Sequence, residues 1–189
     1  MLVRDSAEDV EPDDEPASDA RAKLAELYRE HAAMVFRLGL RYGGGDTAWA
    51  EDIVQEVFFE VLGHVDRIAR MESPSGWIYR ATTNRCLNRL RDRRRHASPP
   101  MRAAIETRLY AVAGTVEEQR HARERLARLF EHVGELPPKQ RVCFWMYHCD
   151  GRSQEEIGEV LGHSKGYVSK LLSRALETIS RRTKEGRDE

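Results

Sequence analysis

Apolar residues recur at helical spacing along most of the chain, and the clearest case is the segment 153–179. Ser153 and Glu156 form a capping-box pattern at the start of one helix, and Gly162 ends it. Ser164 then caps a second helix, whose apolar residues recur at helical spacing as far as residue 179. The pattern therefore predicts two short helices joined by a tight turn, with their apolar sides packed together.

The outer face of the second helix is basic and rich in hydroxyl groups. It carries Lys165, Tyr167, Ser169, Lys170, Ser173 and Arg174, with the capping Ser164 at its start. Two packed helices with such a face are typical of a helix-turn-helix that reads DNA. The alternative is a helical hairpin whose charged face is only solvated.

Five further helical patterns are present, and no strand pattern appears anywhere. They cover residues 20–42, 47–63, 73–95, 115–133 and 138–149. We expect an all-α protein with two small helical domains, one a bundle and one carrying the helix-turn-helix, joined by a flexible linker. The boundaries we expect are a disordered acidic tail 1–19, an N-terminal domain 20–95, a linker 96–116, a C-terminal domain 117–182 and a tail 183–189.

The formal net charge of −1 hides a strong segregation of charge. Residues 1–19 sum to −7, residues 67–96 to +7 and residues 164–187 to +5. Two cationic stretches separated in this way suit a polyanion that is contacted at two places.

The helix 47–63 exposes Asp52, Gln55, Glu56 and Phe59 opposite its buried stripe. A large apolar ring among acids indicates a partner site, although a single exposed phenylalanine is also common.

The helix 73–95 carries seven arginines against one acid after Tyr79, interleaved with Asn84 and Asn88. Arginines that hold phosphates beside amides that meet bases favour nucleic acid over a merely solvated helix end.

Three cysteines without a CxxC pair favour a reducing, cytoplasmic setting. No apolar stretch is long enough to span a membrane, so we expect no membrane contact. A metal or redox sensor built from His121, Cys143, His148 and Cys149 is a rival hypothesis, but the two cysteines are six positions apart, which places them on different sides of a helix. Buried structural cysteines and no bound metal are the expectation.

Two segments together resemble one family. AEDIVQEVFFEVL (50–62), followed by WIYRATTNRCLNRLRDRRR (77–95), resembles the promoter-melting domain of bacterial RNA polymerase sigma factors. Residues 136–176 resemble the C-terminal domain of the same proteins, and the short linker is similar to that of the extracytoplasmic-function (ECF) subgroup. The resemblance implies a non-catalytic specificity subunit without a cofactor. Its implied partners are core RNA polymerase, promoter DNA in duplex and single-stranded form, and an anti-sigma protein.

The resemblance also assigns roles to residues. Asp52, Gln55, Glu56 and Phe59 are implied to dock on the clamp coiled coil of the largest polymerase subunit. The implied readers of the melted minus-ten element are Arg67, Arg80, Asn84, Arg85, Asn88 and Arg89. The implied readers of the minus-thirty-five element are Ser164, Lys165, Tyr167, Ser169, Lys170, Ser173 and Arg174.

The chain departs from the family pattern at Thr83, Arg85 and Asn88, so the resemblance supports the base preference at the minus-ten element less strongly than it supports polymerase docking. The 21 residues 96–116 reach at most about 70 Å, which matches two DNA sites roughly 50–70 Å apart.

The rival function is a stand-alone helix-turn-helix regulator that binds duplex DNA without polymerase. That rival leaves the docking face and the arginine-rich helix without a role.

Overall fold

The computed structural model describes residues 15–93 and 116–185, and within these ranges the chain forms eight helices. They are α1 (Glu15–Gly43), α2 (Thr47–Leu62), α3 (Val65–Ala69), α4 (Pro74–Arg93), α5 (Val116–Gly134), α6 (Pro138–His148), α7 (Gln154–Leu161) and α8 (Lys165–Glu185). The described residues contain no strand, so the expected all-α class is confirmed.

Local signals set the ends of the N-terminal helices. Gly44 and Gly45 follow α1 with φ of 75° and 89°, and the Gly45 N–H donates to the Leu40 carbonyl at 2.7 Å. Glycine adopts this left-handed backbone without a steric penalty, which is why the helix ends here. Asp46 then caps α2 by accepting from the Trp49 N–H at 2.9 Å.

The N-terminal half packs α1, α2 and α4 around a shared apolar core. Val35, Ile53, Val57 and Ile78 are fully buried there. A Cβ on Gly39 would lie 2.9 Å from the Ala50 Cα, so α1 and α2 approach at backbone distance. Such tight packing means that the outer face of α2 is presented on a rigid support.

The C-terminal half packs α8 against α5, α6 and α7. Val142, Met146 and Ile157 are fully buried, and the Phe130 and Trp145 rings stack with centroids 4.7 Å apart. These contacts bury the apolar stripe of α8 and leave its basic face outward.

The helix-turn-helix has the predicted geometry. The Ser153 Oγ accepts from the Glu156 N–H at 3.2 Å, and the Glu156 carboxylate accepts from the Ser153 N–H at 2.7 Å. Gly162 adopts φ of 68°, which ends α7 in the left-handed conformation. A Cβ on Gly158 would lie only 2.4 Å from the His163 carbonyl oxygen, so the turn folds directly onto α7.

The two halves also contact each other. Helix α4 lies against α6 and α7, and α1 lies against α6. No part of the sequence pattern predicted this contact.

Several expectations need correction. The segment between the predicted helices 47–63 and 73–95 contains a further helix, α3, which buries Val65 and Ile68. Helix α1 begins at Glu15, inside the predicted acidic tail, and α8 continues to Glu185. Leu62 and Leu176 fit the helical spacing of the apolar residues around them but are about half exposed, because each lies at the edge of its helix's apolar stripe. The rest of the acidic tail and most of the predicted linker lie outside the described residues.

Candidate docking and nucleic-acid surfaces

The outer face of α2 is apolar at its centre and charged at its rim. The Phe59 side chain is 79% exposed, and Gln55 and Asp52 are exposed beside it on the same side of the helix. The neighbouring Phe58 is buried and stacks on Tyr28, with ring centroids 4.8 Å apart. The helix therefore anchors one phenylalanine in the core and presents the next to solvent.

Two arginines of α4 lie along the acidic rim of this face. Arg85 pairs with Glu56 at 3.5 Å and with Glu60 at 3.1 Å. Arg89 pairs with Asp52 at 3.0 Å and also with Glu56. The sequence predicted both arginines as DNA contacts, and it predicted Asp52 and Glu56, but not Glu60, as docking groups. The structure instead brings them together in one network that joins the two surfaces.

The exposed face of α4 carries the remaining minus-ten candidates of that helix. Arg80, Asn84 and Asn88 are exposed, and the Asn88 Oδ1 accepts from the Arg91 guanidinium at 3.1 Å. Arg67 is exposed on the preceding helix α3. Arg80 also donates to the main-chain carbonyl of Glu159 in α7 at 3.0 Å.

Tyr79 does not lie on that face, although it directly precedes the arginine-rich part of the helix. It is buried, and its hydroxyl donates to the Asp150 carboxylate at 2.7 Å. Burial, together with the neighbouring carboxylate, raises the pKa of Tyr79 to about 12. Its place is therefore in a contact with the C-terminal half.

The basic face of α8 is open to solvent. Tyr167, Lys170, Ser173 and Arg174 are exposed, Ser169 is half-buried, and the Ser164 Oγ accepts from the Tyr167 N–H at 3.3 Å as the helix cap. Lys165 is exposed as well, but it forms an ion pair with Glu155 of α7 at 2.5 Å. That pair raises the pKa of Lys165 and lowers the pKa of Glu155.

A second cation beside the turn was not singled out from the sequence. The Lys139 Nζ lies 3.0 Å from the His163 Nε2 and 5.5 Å from the Tyr167 ring centroid. Lysine can only donate, so the His163 Nε2 accepts and the imidazole is neutral with its proton on Nδ1. Partial burial and the Lys139 charge lower the pKa of His163. Lys139 follows Pro137 and Pro138 at the start of a helix, and this position was the only sign in the sequence that its side chain lies near the turn.

The cysteine hypothesis is only partly confirmed. Cys86 and Cys143 are buried, and burial raises the pKa of Cys143 to about 12, whereas Cys149 is exposed. In the part of the chain that the structure describes, no three histidine, cysteine or acidic residues converge in a way that could hold a metal ion. No described helix is long and apolar enough to cross a bilayer.

Comparison with known proteins identifies both halves. Residues 27–96 match the family Sigma-70 region 2, and residues 126–179 match Sigma-70, region 4. The ECF RNA polymerase sigma factor SigE of Mycolicibacterium smegmatis is 32% identical over 180 residues, which cover 90% of this chain and 69% of SigE. The chain belongs to the ECF RNA polymerase sigma factors.

Other relatives give the same assignment over most of their length. SigW of Bacillus subtilis is 24% identical over 98% of both chains. SigL of Mycobacterium tuberculosis H37Rv is 26% identical over 86% of this chain and 90% of SigL. The protein is therefore an RNA polymerase sigma factor, a member of a family of non-catalytic transcription initiation factors, and the stand-alone regulator is not favoured.

Proposed function

We propose that this sigma factor docks on core RNA polymerase through the outer face of α2, and reads two promoter elements with α4 and α8. The observation that carries the proposal is the exposure of three chemically distinct surfaces on a chain whose two halves match regions 2 and 4. The first surface is apolar at its centre, and the other two are cationic.

Docking is assigned to Phe59, with Gln55 and the acids at the rim. An aromatic ring that is surrounded by charged groups and supported by a rigid helix is typical of the few residues that dominate binding energy at an interface. The Arg85 and Arg89 pairs neutralise part of the acidic rim. We therefore expect the apolar contact, rather than net charge, to supply most of the docking energy.

The minus-ten element is assigned to α3 and the exposed face of α4. Arg67 and Arg80 hold backbone phosphates, while Asn84 and Asn88 meet the edges of unstacked bases. Extruding a base costs a few kcal/mol and costs least where a step unpairs easily. Selectivity at this element therefore comes from unpairing as well as from contacts. Arg85 and Arg89 support this surface through α2 and contact DNA only if their carboxylate partners release them.

The minus-thirty-five element is assigned to α8 in the major groove. Lys165, Tyr167 and Ser169 lie on its first two turns, and Lys170, Ser173 and Arg174 continue the face. Helix-turn-helix proteins place the start of this second helix against base edges, with phosphates at its flanks. Ser164 at the start of α8, and Lys139 beside His163 and Tyr167, are assigned to a phosphate.

The experiment replaces Lys170 or Arg174 with alanine and measures affinity for duplex DNA that carries the minus-thirty-five element. Each loss should weaken binding by roughly 1–3 kcal/mol if the contact is to a base. Lys184→Ala is the matched control, because Lys184 is an exposed cation on the same helix beyond the recognition face. Unchanged affinity in both test variants, or an equal loss in the control, would remove the assignment of the recognition face.

Assembly with polymerase is tested separately. The sigma factor should co-elute with core polymerase in gel filtration at low salt, and separate elution would instead support a stand-alone regulator. We also propose that it acts in the cytoplasm, where polymerase works, and that an anti-sigma protein covers these surfaces. Co-purification from the native cell tests that last partner.

A further inference from the structure

Tyr167 lies on the first turn of α8, and two side chains from outside that helix contact its ring. The His163 ring, in the turn before α8, lies 4.7 Å from the Tyr167 ring, measured between centroids, with 60° between the planes. The Lys139 Nζ, at the start of α6, lies 5.5 Å from the Tyr167 centroid. The Tyr167 N–H donates to the Ser164 carbonyl at 3.0 Å and to the Ser164 Oγ at 3.3 Å, so its main chain is fixed as well.

The two partners of the Tyr167 ring also contact each other. The Lys139 Nζ donates to the His163 Nε2 at 3.0 Å, so the imidazole beside the tyrosine is neutral. A cation within about 6 Å of an aromatic centroid is attracted to the ring, and Lys139 meets that condition. Each of the three side chains therefore contacts the other two. We call Lys139 and His163 the Tyr167 support.

The Tyr167 support affects how the ring can bind. Tyr167 is 40% exposed, and an exposed side chain without partners samples several rotamers. Ordering such a side chain during binding lowers the affinity, whereas a ring that is already held binds at one defined place. Because Lys139 and His163 are 24 positions apart, the support depends on the packing of α6 against α7 and α8.

The chemistry of the ring limits what it can recognise in the major groove. Bases in duplex DNA are stacked, so a side chain in the groove meets their edges rather than their faces. The C5 methyl of thymine is the apolar group on those edges, and aromatic side chains can contact it. Tyr167 is the one aromatic residue of α8, and the other candidate readers on this helix carry charged or hydroxyl groups. Thymine is therefore the base that suits this ring.

We propose that Tyr167 reads a thymine methyl group in the minus-thirty-five element, and that Lys139 and His163 are positioning residues that hold its ring for this contact. The proposal rests on the proposed function of α8 and adds a base to it. A phosphate contact of Lys139 needs only the lysine charge, whereas the positioning role needs His163 as well. The two roles therefore predict different effects of substitution.

The test compares thymine with uracil, which lacks only the C5 methyl group. The probe is a duplex that the holoenzyme, assembled from the full-length protein and core polymerase, enriches from a random pool. Deoxyuridine then replaces each thymine of the minus-thirty-five element in turn, and the affinity of the holoenzyme for each duplex is measured. At one position wild type should bind the thymine duplex about 4-fold more tightly, as expected for burying one methyl group. Tyr167→Ala should reduce this ratio of affinities to one.

The positioning role is tested by substitutions outside α8. Lys139→Met and His163→Gln should each bring the ratio close to one, because the Tyr167 ring loses its support. His163→Phe keeps an aromatic ring beside Tyr167 and should retain most of the ratio. Lys170→Ala is the matched control, which should weaken binding to both duplexes equally and leave the ratio unchanged. Any phosphate contact that Lys139→Met also removes cancels in the ratio.

NMR of the free protein checks the geometry of the support without DNA. A nuclear Overhauser effect should connect ring protons of His163 and Tyr167, and it should weaken in Lys139→Met. Its absence in wild type would remove the contact on which the proposal depends. Circular dichroism checks that the variants keep their helices. If His163→Gln loses helix, the ratio in Lys139→Met decides the positioning role.

Three results of the binding test would overturn the proposal. The first is equal affinity of wild type for thymine and uracil at every position. The second is a wild-type ratio in Lys139→Met or His163→Gln variants that keep their helices. Both of these results leave the recognition face of α8 intact. The third is unchanged affinity in both Lys170→Ala and Arg174→Ala, which would remove that face and the role of Tyr167 with it.

Discussion

Replacing Phe59 with alanine separates docking from folding, because the ring is 79% exposed in the free protein. Only about one-fifth of its roughly 200 Å² of surface is buried by the fold, and at about 25 cal/mol per Å² this is worth about 1 kcal/mol. We therefore expect Phe59→Ala to change the free energy of unfolding only slightly. Chemical denaturation followed by circular dichroism measures that change.

The same ring should matter far more in the complex with polymerase. Covering the remaining surface of about 160 Å² corresponds to an upper value of about 4 kcal/mol, and aromatic residues at the centre of interfaces typically cost about 2–4 kcal/mol when truncated. The affinity for core polymerase should therefore fall by roughly 30- to 700-fold. Competition with a fluorescently labelled wild-type sigma factor measures the change.

Phe58→Ala is the matched control, with the same substitution one residue earlier on the same helix. Phe58 is only 6% exposed, and truncating a buried phenylalanine typically costs about 3–5 kcal/mol of stability. Phe59→Ala should therefore lose affinity for polymerase and keep its stability, whereas Phe58→Ala should lose stability. If Phe59→Ala binds polymerase as tightly as wild type, or destabilises the fold as much as Phe58→Ala, the docking assignment is wrong.

Two further predictions concern the helix-turn-helix. Glu155→Gln should tighten binding to minus-thirty-five duplex a few-fold at low salt and less at high salt, because it frees Lys165 from its ion pair. Fluorescence anisotropy at two salt concentrations measures this change in affinity. An affinity equal to that of wild type would show that the ion pair does not compete with DNA. His163 should titrate below its ordinary pKa in NMR, because partial burial and the Lys139 charge disfavour the imidazolium, and Lys139→Met should move the midpoint upward. A midpoint that does not move in that variant would contradict the contact between Lys139 and His163.

Local chemistry explains why much of the fold could be predicted from the sequence. The capping box at Ser153 and the left-handed Gly162 depend on residues within a few positions of each other. The exposure of Phe59 likewise follows from its position opposite the apolar stripe of one helix. Each of these features is decided within one or two turns of backbone.

Contacts between distant segments explain what could not be predicted. Helical periodicity says which side of α4 faces α2, but not that Arg85 and Arg89 reach across to carboxylates. Tyr79 and Asp150 are separated by 71 residues, so nothing in the local pattern of either indicates the other. The positions of Arg85 and Arg89 depend on the length of the arginine side chain. The position of Tyr79 depends on how the C-terminal half packs against the N-terminal half.

At the edges of the apolar stripes, the sequence pattern also misjudges burial, again because burial depends on contacts between helices. Leu62 and Leu176 fit the spacing of buried residues but lie about half exposed. An apolar stripe is buried only over the length that neighbouring helices cover, and helical periodicity does not show how long that covered part is.

The missing side chain at Gly158 separates what can be changed in this motif from what cannot. Because the His163 carbonyl oxygen occupies the space of a Cβ, any other residue at position 158 would displace the turn between α7 and α8. The outward residues of α8 face solvent, and each can be exchanged without disturbing that turn. Redesign of the contacts made by α8 is therefore compatible with the fold, whereas redesign of its junction with α7 is not.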